Sequence, residues 1–474
     1  MNNRYITIVL LLCGLVISGG CKKYLDVQPQ TSYTESQVYG NEKAIQQALN
    51  GLYIDLAANQ LYGANLTTTT VEQLAQRYKP LGGNSNPNLS VFNYYSYGSA
   101  YAQATFDTLW RQGYATILAA NVFLSKIDNS VTAKVITAAH ADELKGEAIA
   151  VRALMHFDLL RLFGPVFSVD SSSPAIPYYT KADGQSQPIV SGGTALANVI
   201  ADLTQALQLL SNDPVTTSGI MLNSEFYTGS RNQRLNYYAV KGLLARAYIW
   251  EGDKQRAHDA ALSVLTDGEK WFPWTTYDVA NDPTNPDRIF SSEILFSVYN
   301  PALYTNFTTY FSSSLQDDYI LAPDPTRLAN VYENNEGDYR YSQNWLISAK
   351  PYRTFFKYAD LTQPTLPWRF LTPVLRKSEM YFILAETAPD ATAGLNYLNT
   401  ARRNRGLTAL DATANITAEL RKEYQKEFWG EGQLFFYYKR INATQVPDAA
   451  YPYDFLTVNP AYVVPLPLSE TQTR

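Results

Sequence analysis

Residues 235 to 265, LNYYAVKGLLARAYIWEGDKQRAHDAALSVL, read as two helices folded about one turn. The outgoing half carries Gly242, Ala245 and Ala247, small enough to let a partner helix approach. Glu251-Gly252-Asp253 makes the turn, and Ala257, Ala260, Ala261, Val264 and Leu265 line the return. One such pair cannot bury its apolar face alone, so it requires stacked neighbours. The stretch 376 to 407, RKSEMYFILAETAPDATAGLNYLNTARRNRGL, repeats the design with a slightly different turn.

Three further stretches have helical periodicity. From about Glu42 to Ala58, Ile45, Ala48, Leu49, Leu52 and Leu56 share one face. From about Phe106 to Ile127, Leu109, Trp110, Ile117, Asn121 and Leu124 are placed to pack, and in 144–163 Ala148, Val151, Met155, Leu159 and Leu162 form a stripe that stops at Gly164-Pro165. The helix pairs resemble tetratricopeptide units. The predicted fold is therefore mostly α: a tetratricopeptide-like helical repeat scaffold, with pairs at about 106–163, 235–265 and 376–407. Between the helices lie irregular stretches rich in Asn, Ser, Pro, Gly and Tyr, at 79–100, 164–196, 211–233, 271–350 and after 440. Long loops on a helical scaffold carry function when they are ordered, and aromatic content favours order. The insertions at about 79–100, 271–350 and 441–474 are expected to form a ligand-binding face.

The opening segment is read separately. Arg4, the apolar run Tyr5 to Ile17 and the small residues Ser18-Gly19-Gly20 have the layout of a secretory signal peptide, and the run is too short to span a bilayer. Cys21 follows at once, so the stretch resembles a lipobox, with Ser18 standing where Leu, Val or Ile is common. This predicts a leader over 1–20, lipidation at Cys21, a tether over 21–35 and a single domain over 36–474. The other cysteine, Cys13, falls inside the leader, leaving no thiol for a disulfide.

Lys plus Arg number 38 against 43 for Asp plus Glu, with no long block of one sign, so no nucleic-acid partner is expected. His140, His156 and His258 are scattered and outside any zinc spacing. His156 reads as a packed or capped helix residue. GxSxG, CxxC and phosphate-cradling motifs are absent. NDPTNPD at 281–287 has oxygen ligands that calcium accepts but reads as a turn-rich loop. No cofactor, metal or catalytic group is predicted. The runs Arg402-Arg403-Asn404-Arg405 and Lys422/Glu423/Lys426/Glu427 read as solvated helix faces or structural ion pairs.

What stands out is tyrosine, 36 copies beside 20 Phe and 7 Trp. LSVFNYYSYGSAYAQ sets Tyr94, Tyr95, Tyr97 and Tyr101 in the loop before Trp110, after GGNSNPN with Asn84 and Asn86. Phenol rings stack on the C–H faces of sugars while amides bond hydroxyls. Tyr304 and Tyr310, three residues either side of Phe307, form a second candidate wall, and Trp345 a third.

At this point most of the length is similar to the SusD/RagB family of outer-membrane nutrient-binding lipoproteins of Bacteroidetes-type bacteria. The matching blocks are CKKYLDVQP, ALNGLY, WRQGYATILAAN, GEAIAVRALMHFDLLRLFGPV, LRKSEMYFILAE, LNTARRNRGL, ELRKEYQKEFWGEGQLFFYYKR and YVVPLPLSE. The resemblance implies a helical half facing a SusC-like TonB-dependent transporter. It also implies a loop-rich half, including the 79–100 region, that holds ligand. The implied protein is not an enzyme. It is anchored in outer-membrane lipid through Cys21, exposed at the cell surface, and takes up an oligosaccharide. A peptide-binding relative, a surface glycoside hydrolase and a scaffold without small ligand are the competing readings.

Overall fold

The computed structural model describes residues 34–79, 91–449 and 461–472. The leader, Cys21, Asn84 and Asn86 lie outside the described residues.

Most of the long helices start where a short polar side chain takes over an orphan N–H. Helix α1 (Glu42–Leu56) is capped by Asn41, which accepts from the Ala44 N–H, and buries Ile45, Leu49, Leu52 and Leu56. Helix α2 (Ala100–Thr132) is capped by Ser99. Helix α3 (Ala138–Phe163) is capped by Thr137 and stops at Gly164, before Pro165. Helix α4 (Gly192–Leu209) follows the Ser191 cap. Helices α5 (Tyr237–Glu251) and α6 (Lys254–Gly268) turn on Gly252 at φ +89°, a left-handed angle natural to glycine.

Helix α2 packs on α3, α3 on α4, α4 on α5 and α5 on α6, a stacked array in chain order. The chain then leaves. It returns as α8 (Lys377–Thr387), which packs directly on α6 and is followed by α9 (Ala391–Arg403), α10 (Ile416–Glu427) and α11 (Gln433–Arg440). The fold is thus the mostly helical, tetratricopeptide-like scaffold. No helix among the described residues is long and apolar enough to cross a membrane.

The excursion between α6 and α8 is a lobe of short elements rather than an irregular loop. Of the three two-stranded sheets among the described residues, β1 (Pro174–Pro177) pairs with β2 (Ile189–Ser191) outside the lobe. Inside it, β3 (Ile294–Tyr299) runs antiparallel to β6 (Leu371–Arg376), so the lobe's first and last strands clasp each other. The third sheet joins β4 (Trp345–Ile347) to β5 (Arg353–Phe355). Helix α7 (Leu303–Tyr310) follows β3. Gly242 does admit a close neighbour, but the neighbour is strand β6: a Cβ there would lie 2.7 Å from the Leu375 side chain.

Among the described residues two apolar cores result, one inside the helical array and one around Phe311, Trp345, Phe355 and Trp429. Between them sits a buried ion cluster. Glu427 receives Arg340 (2.9 Å), Arg376 and Arg405 (2.7 Å); Glu423 receives Arg340 (2.8 Å) and Arg402 (2.6 Å). Burial alone would raise both carboxyls, but the guanidiniums hold Glu427 well below the usual range and Glu423 at about 2. The charged runs at 402–405 and 422–427 are thus largely structural ion pairs. Lys422 and Arg403 stay exposed.

Candidate functional site

The tyrosine stretch begins where scaffold and lobe meet. Lys79 donates its N–H to the Ala322 carbonyl (2.9 Å) and its ammonium to Asp324 (3.1 Å), fixing one end of the stretch to the lobe. The other end rests on the scaffold. The buried Asn93 side chain donates to the Tyr78 carbonyl (2.9 Å), while Gln76 donates to the Asn93 carbonyl (2.7 Å), so the two ends are held together.

The four tyrosines that follow do not act alike. Tyr94 is 65% exposed. Tyr95 takes a left-handed φ of +50°, turns inward and donates its hydroxyl to the Leu74 carbonyl (3.1 Å). Tyr97 packs edge-on against Phe106, with its hydroxyl on the Ala461 carbonyl. Tyr95 and Tyr97 therefore anchor the stretch. Tyr101 is in the first turn of α2, not in a loop, because the Ser99 cap starts that helix early. Its ring lies against Phe92 and is 43% exposed.

Tyr310 ends α7. Its carbonyl accepts from the Leu321 N–H (2.7 Å), closing the loop that carries Tyr319, which is 52% exposed. Burial first, and then the Tyr310 phenol, push the Tyr101 hydroxyl above its ordinary value, so these two phenols from distant parts of the chain lie within electrostatic reach of each other. Tyr304, at the other end of α7, is half-buried: its hydroxyl is donated to the Arg369 carbonyl and its ring packs against Phe370. Phe307 leans on Phe356.

Trp345 requires a correction. It is 0% exposed, wedged between Phe355 and Trp429, and donates its indole N–H to the Tyr332 hydroxyl. It has no face to offer a ligand, because the insertion that carries it folds around its own core.

Sequence reasoning missed Tyr319 and the side chains near it. Asp317 accepts from Lys350 (2.7 Å) and from the Tyr352 hydroxyl (2.6 Å), and these bonds hold its carboxyl below the usual range. Only contact between separate loops makes this group, so no local pattern could have revealed it.

Tyr94, Tyr101 and Tyr319 are exposed and Tyr310 is half-buried, so each leaves a phenol face open to solvent. Such a face can stack against a flat, hydroxylated ligand and exchange hydrogen bonds with it. Among the described residues no cluster of His, Cys, Asp and Glu is arranged to hold a metal ion. His156 is fully buried between the Arg152 carbonyl and the Tyr179 N–H.

Residues 23–226 match the model of a SusD-like family described as "Starch-binding associating with outer membrane". A SusD-like protein of Bacteroides ovatus is 22% identical over 54% of this chain, and the match spans 43% of that relative's length. Among solved structures, a SusD superfamily protein of Bacteroides thetaiotaomicron superposes with a TM-score of 0.70 at 19% identity, over 91% of this chain and 98% of the other. A laminarin-binding SusD-like protein superposes with a TM-score of 0.65 at 17% identity, over 91% and 97%. At such identities the superpositions establish the shared fold.

Proposed function

We propose that this chain, which belongs to the SusD-like carbohydrate-binding family, captures an oligosaccharide at the cell surface and hands it to a SusC-like TonB-dependent transporter. Lipidation at Cys21 would hold it to the outer membrane, and a bacterial lipoprotein anchor with several acyl chains suffices for stable attachment. The role is binding and delivery rather than catalysis.

The observation that supports this reading is that Tyr101 on the scaffold and Tyr310 on the lobe lie within electrostatic reach of each other, with Tyr94 and Tyr101 offering exposed rings. A ligand stacked on both Tyr101 and Tyr310 would bridge the scaffold and the lobe. The family description and the laminarin-binding neighbour favour a glycan as that ligand. The rigid helical stack supplies a broad surface suited to a large membrane partner. Among the predicted residues, Tyr94, Tyr101 and Tyr310 are assigned to stacking, and Tyr95, Tyr97 and Tyr304 to support.

The test is calorimetry on the chain beginning after Cys21, titrated with laminarin and starch fragments and with peptides. A Tyr101→Ala/Tyr310→Ala variant is measured alongside. Loss of two stacking rings is expected to weaken glycan binding by about 1–3 kcal/mol, at roughly 0.5–1.5 kcal/mol per ring. Binding of peptides alone would overturn the substrate class, and unchanged glycan affinity in the variant would move the site.

A further inference from the structure

A cleft of about 560 Å³ opens between the outward face of α1 and the turn formed by residues 223–234. It belongs to neither the tyrosine surface nor the ion cluster. On α1, Gln46, Asn50 and Tyr53 recur at spacings of four and three, one side of a helix, and Gln47 stands beside them.

Arg234 forms part of the lining and is fixed from three directions. It donates to Glu147 (3.2 Å) and to the Asn50 side-chain oxygen (2.8 Å), and its guanidinium lies 4.0 Å from the Phe226 ring centre. A guanidinium has five N–H donors, so these bonds leave others for a ligand. Because Asn50 turns its oxygen to Arg234, its amide N–H groups are left over. Among the described residues they have no protein partner, and the side-chain amides of Gln47 and Gln233 have none either.

Charge decides what such a lining can take. Behind Arg234, Glu147 also receives Arg231 (2.6 Å), and Arg231 pairs in turn with Asp213 (2.7 Å). Two guanidiniums thus face two carboxylates, and at the rim Lys43 is offset by Glu225. Glu143, beside Arg231, is pushed up to about 8 by burial despite that guanidinium, so it adds little negative charge at neutral pH. The cleft therefore offers several donors without a net field. That suits neutral hydroxyls better than phosphate, sulfate or carboxylate.

One ring of the cleft leads out of it. Tyr299, 51% exposed, lines the cleft and sits 5.4 Å from Phe370. Phe370 is 5.1 Å from Tyr304 at the start of α7. Six residues on, roughly 9 Å along the helix axis at 1.5 Å per residue, is Tyr310. Aromatic side chains thus lead from the cleft to the start of α7, whose far end carries Tyr310.

We infer that the Asn50/Arg234 cleft is a second binding subsite for a neutral saccharide, reached along Tyr299, Phe370 and Tyr304 by the far end of a chain held at Tyr101 and Tyr310. It follows that the protein favours long glycan chains over short ones. This inference rests on the saccharide reading of the tyrosine surface.

The experiment compares wild type with Gln47→Ala/Gln233→Ala and, separately, Tyr299→Ala. These side chains are at least partly exposed and take no part in the buried ion pairs. Affinity electrophoresis and calorimetry use laminarin and starch, each beside its own disaccharide and trisaccharide. The expected result is an affinity for the polymer at least about fivefold weaker in both variants, with short-chain affinity unchanged. Equal polymer affinity in wild type and both variants, with the Tyr101→Ala/Tyr310→Ala variant impaired, would overturn the second subsite and leave the capture reading standing. If wild type binds none of these saccharides at any length, both fall together. A loss of short-chain affinity equal to the polymer loss would also overturn the inference, since it would make the cleft the primary site.

Discussion

Lowering the pH should destabilise the fold through His156 by a calculable amount. The imidazole is fully buried, its Nδ1–H donating to the Arg152 carbonyl (2.9 Å) and its Nε2 accepting the Tyr179 N–H (3.0 Å). Its ring stacks on Tyr178 at 3.8 Å. Protonation would set a second N–H against the Tyr179 N–H, in a site with no carboxylate touching the ring. Burial, reinforced by the nearby Arg152 charge, lowers the group from 6.5 to about 3. Below pH 6.5 the unfolded chain binds a proton that the folded chain refuses, so this contribution to stability is complete above 6.5 and is lost as pH falls towards 3. At about pH 4.5 the loss is two pH units at 1.36 kcal/mol each, about 2.7 kcal/mol. A His156→Gln variant can keep both hydrogen bonds but cannot titrate. It should be less stable than wild type by about 1–2 kcal/mol at neutral pH, from lost ring packing, and equal or more stable near pH 4.5. Guanidinium unfolding of both proteins at both pH values measures the double difference, which cancels the other titrating groups. A stability gap that does not change with pH would refute the reasoning, because it would mean that the folded imidazole accepts a proton freely.

Other outcomes follow from the same structure. Glu427→Ala should cost about 3–5 kcal/mol, read as a fall in thermal midpoint, because three buried guanidiniums lose a shared carboxylate. Trp345→Ala should cost about 3–5 kcal/mol, and any loss of glycan binding should track unfolding, since the ring is core and not site. Gly432→Ala should lower the thermal midpoint by the equivalent of about 1–3 kcal/mol or more: the residue sits at φ +72°, and a Cβ there would overlap the Leu66 carbonyl oxygen. By contrast Tyr94→Ala should leave the thermal midpoint within about 0.5 kcal/mol of wild type, because that ring is largely in solvent.

The scaffold could be read from the chain because its signals are local. Small residues at 242, 245 and 247, a Gly252 turn and a returning alanine face are enough to specify a helix pair. Helix α4 escaped because it opens on Gly192-Gly193, poor helix formers, and only the Ser191 cap marks its start. The lobe escaped for another reason. Its strands and helices run from three to eight residues, too short to show a period, and their order comes from β3 meeting β6 across more than seventy residues of chain. The same distance explains the tyrosines. Composition could flag Tyr94, Tyr101 and Tyr310, but exposure separates Tyr94 from Tyr95, and one φ angle of the opposite sign turns the second ring inward.

The buried ion cluster gives the proposed binding surface its geometry. Asp338, Arg340, Lys357 and Glu293 come from the lobe, while Arg402, Arg405, Glu423 and Glu427 come from α9 to α10. Apolar packing alone would let the lobe slide on the helical stack at little cost, since such contacts have no direction. Bidentate pairs such as Arg405 with Glu293, at 2.9 and 2.6 Å, fix both distance and angle. Desolvating these charges is costly, and the cluster's benefit lies in specificity rather than in net stability. Tyr310 rides on the lobe and Tyr101 on the scaffold, so their placement relative to each other is only as well defined as that junction. Weakening the junction should therefore disperse the tyrosine surface even where each part stays folded.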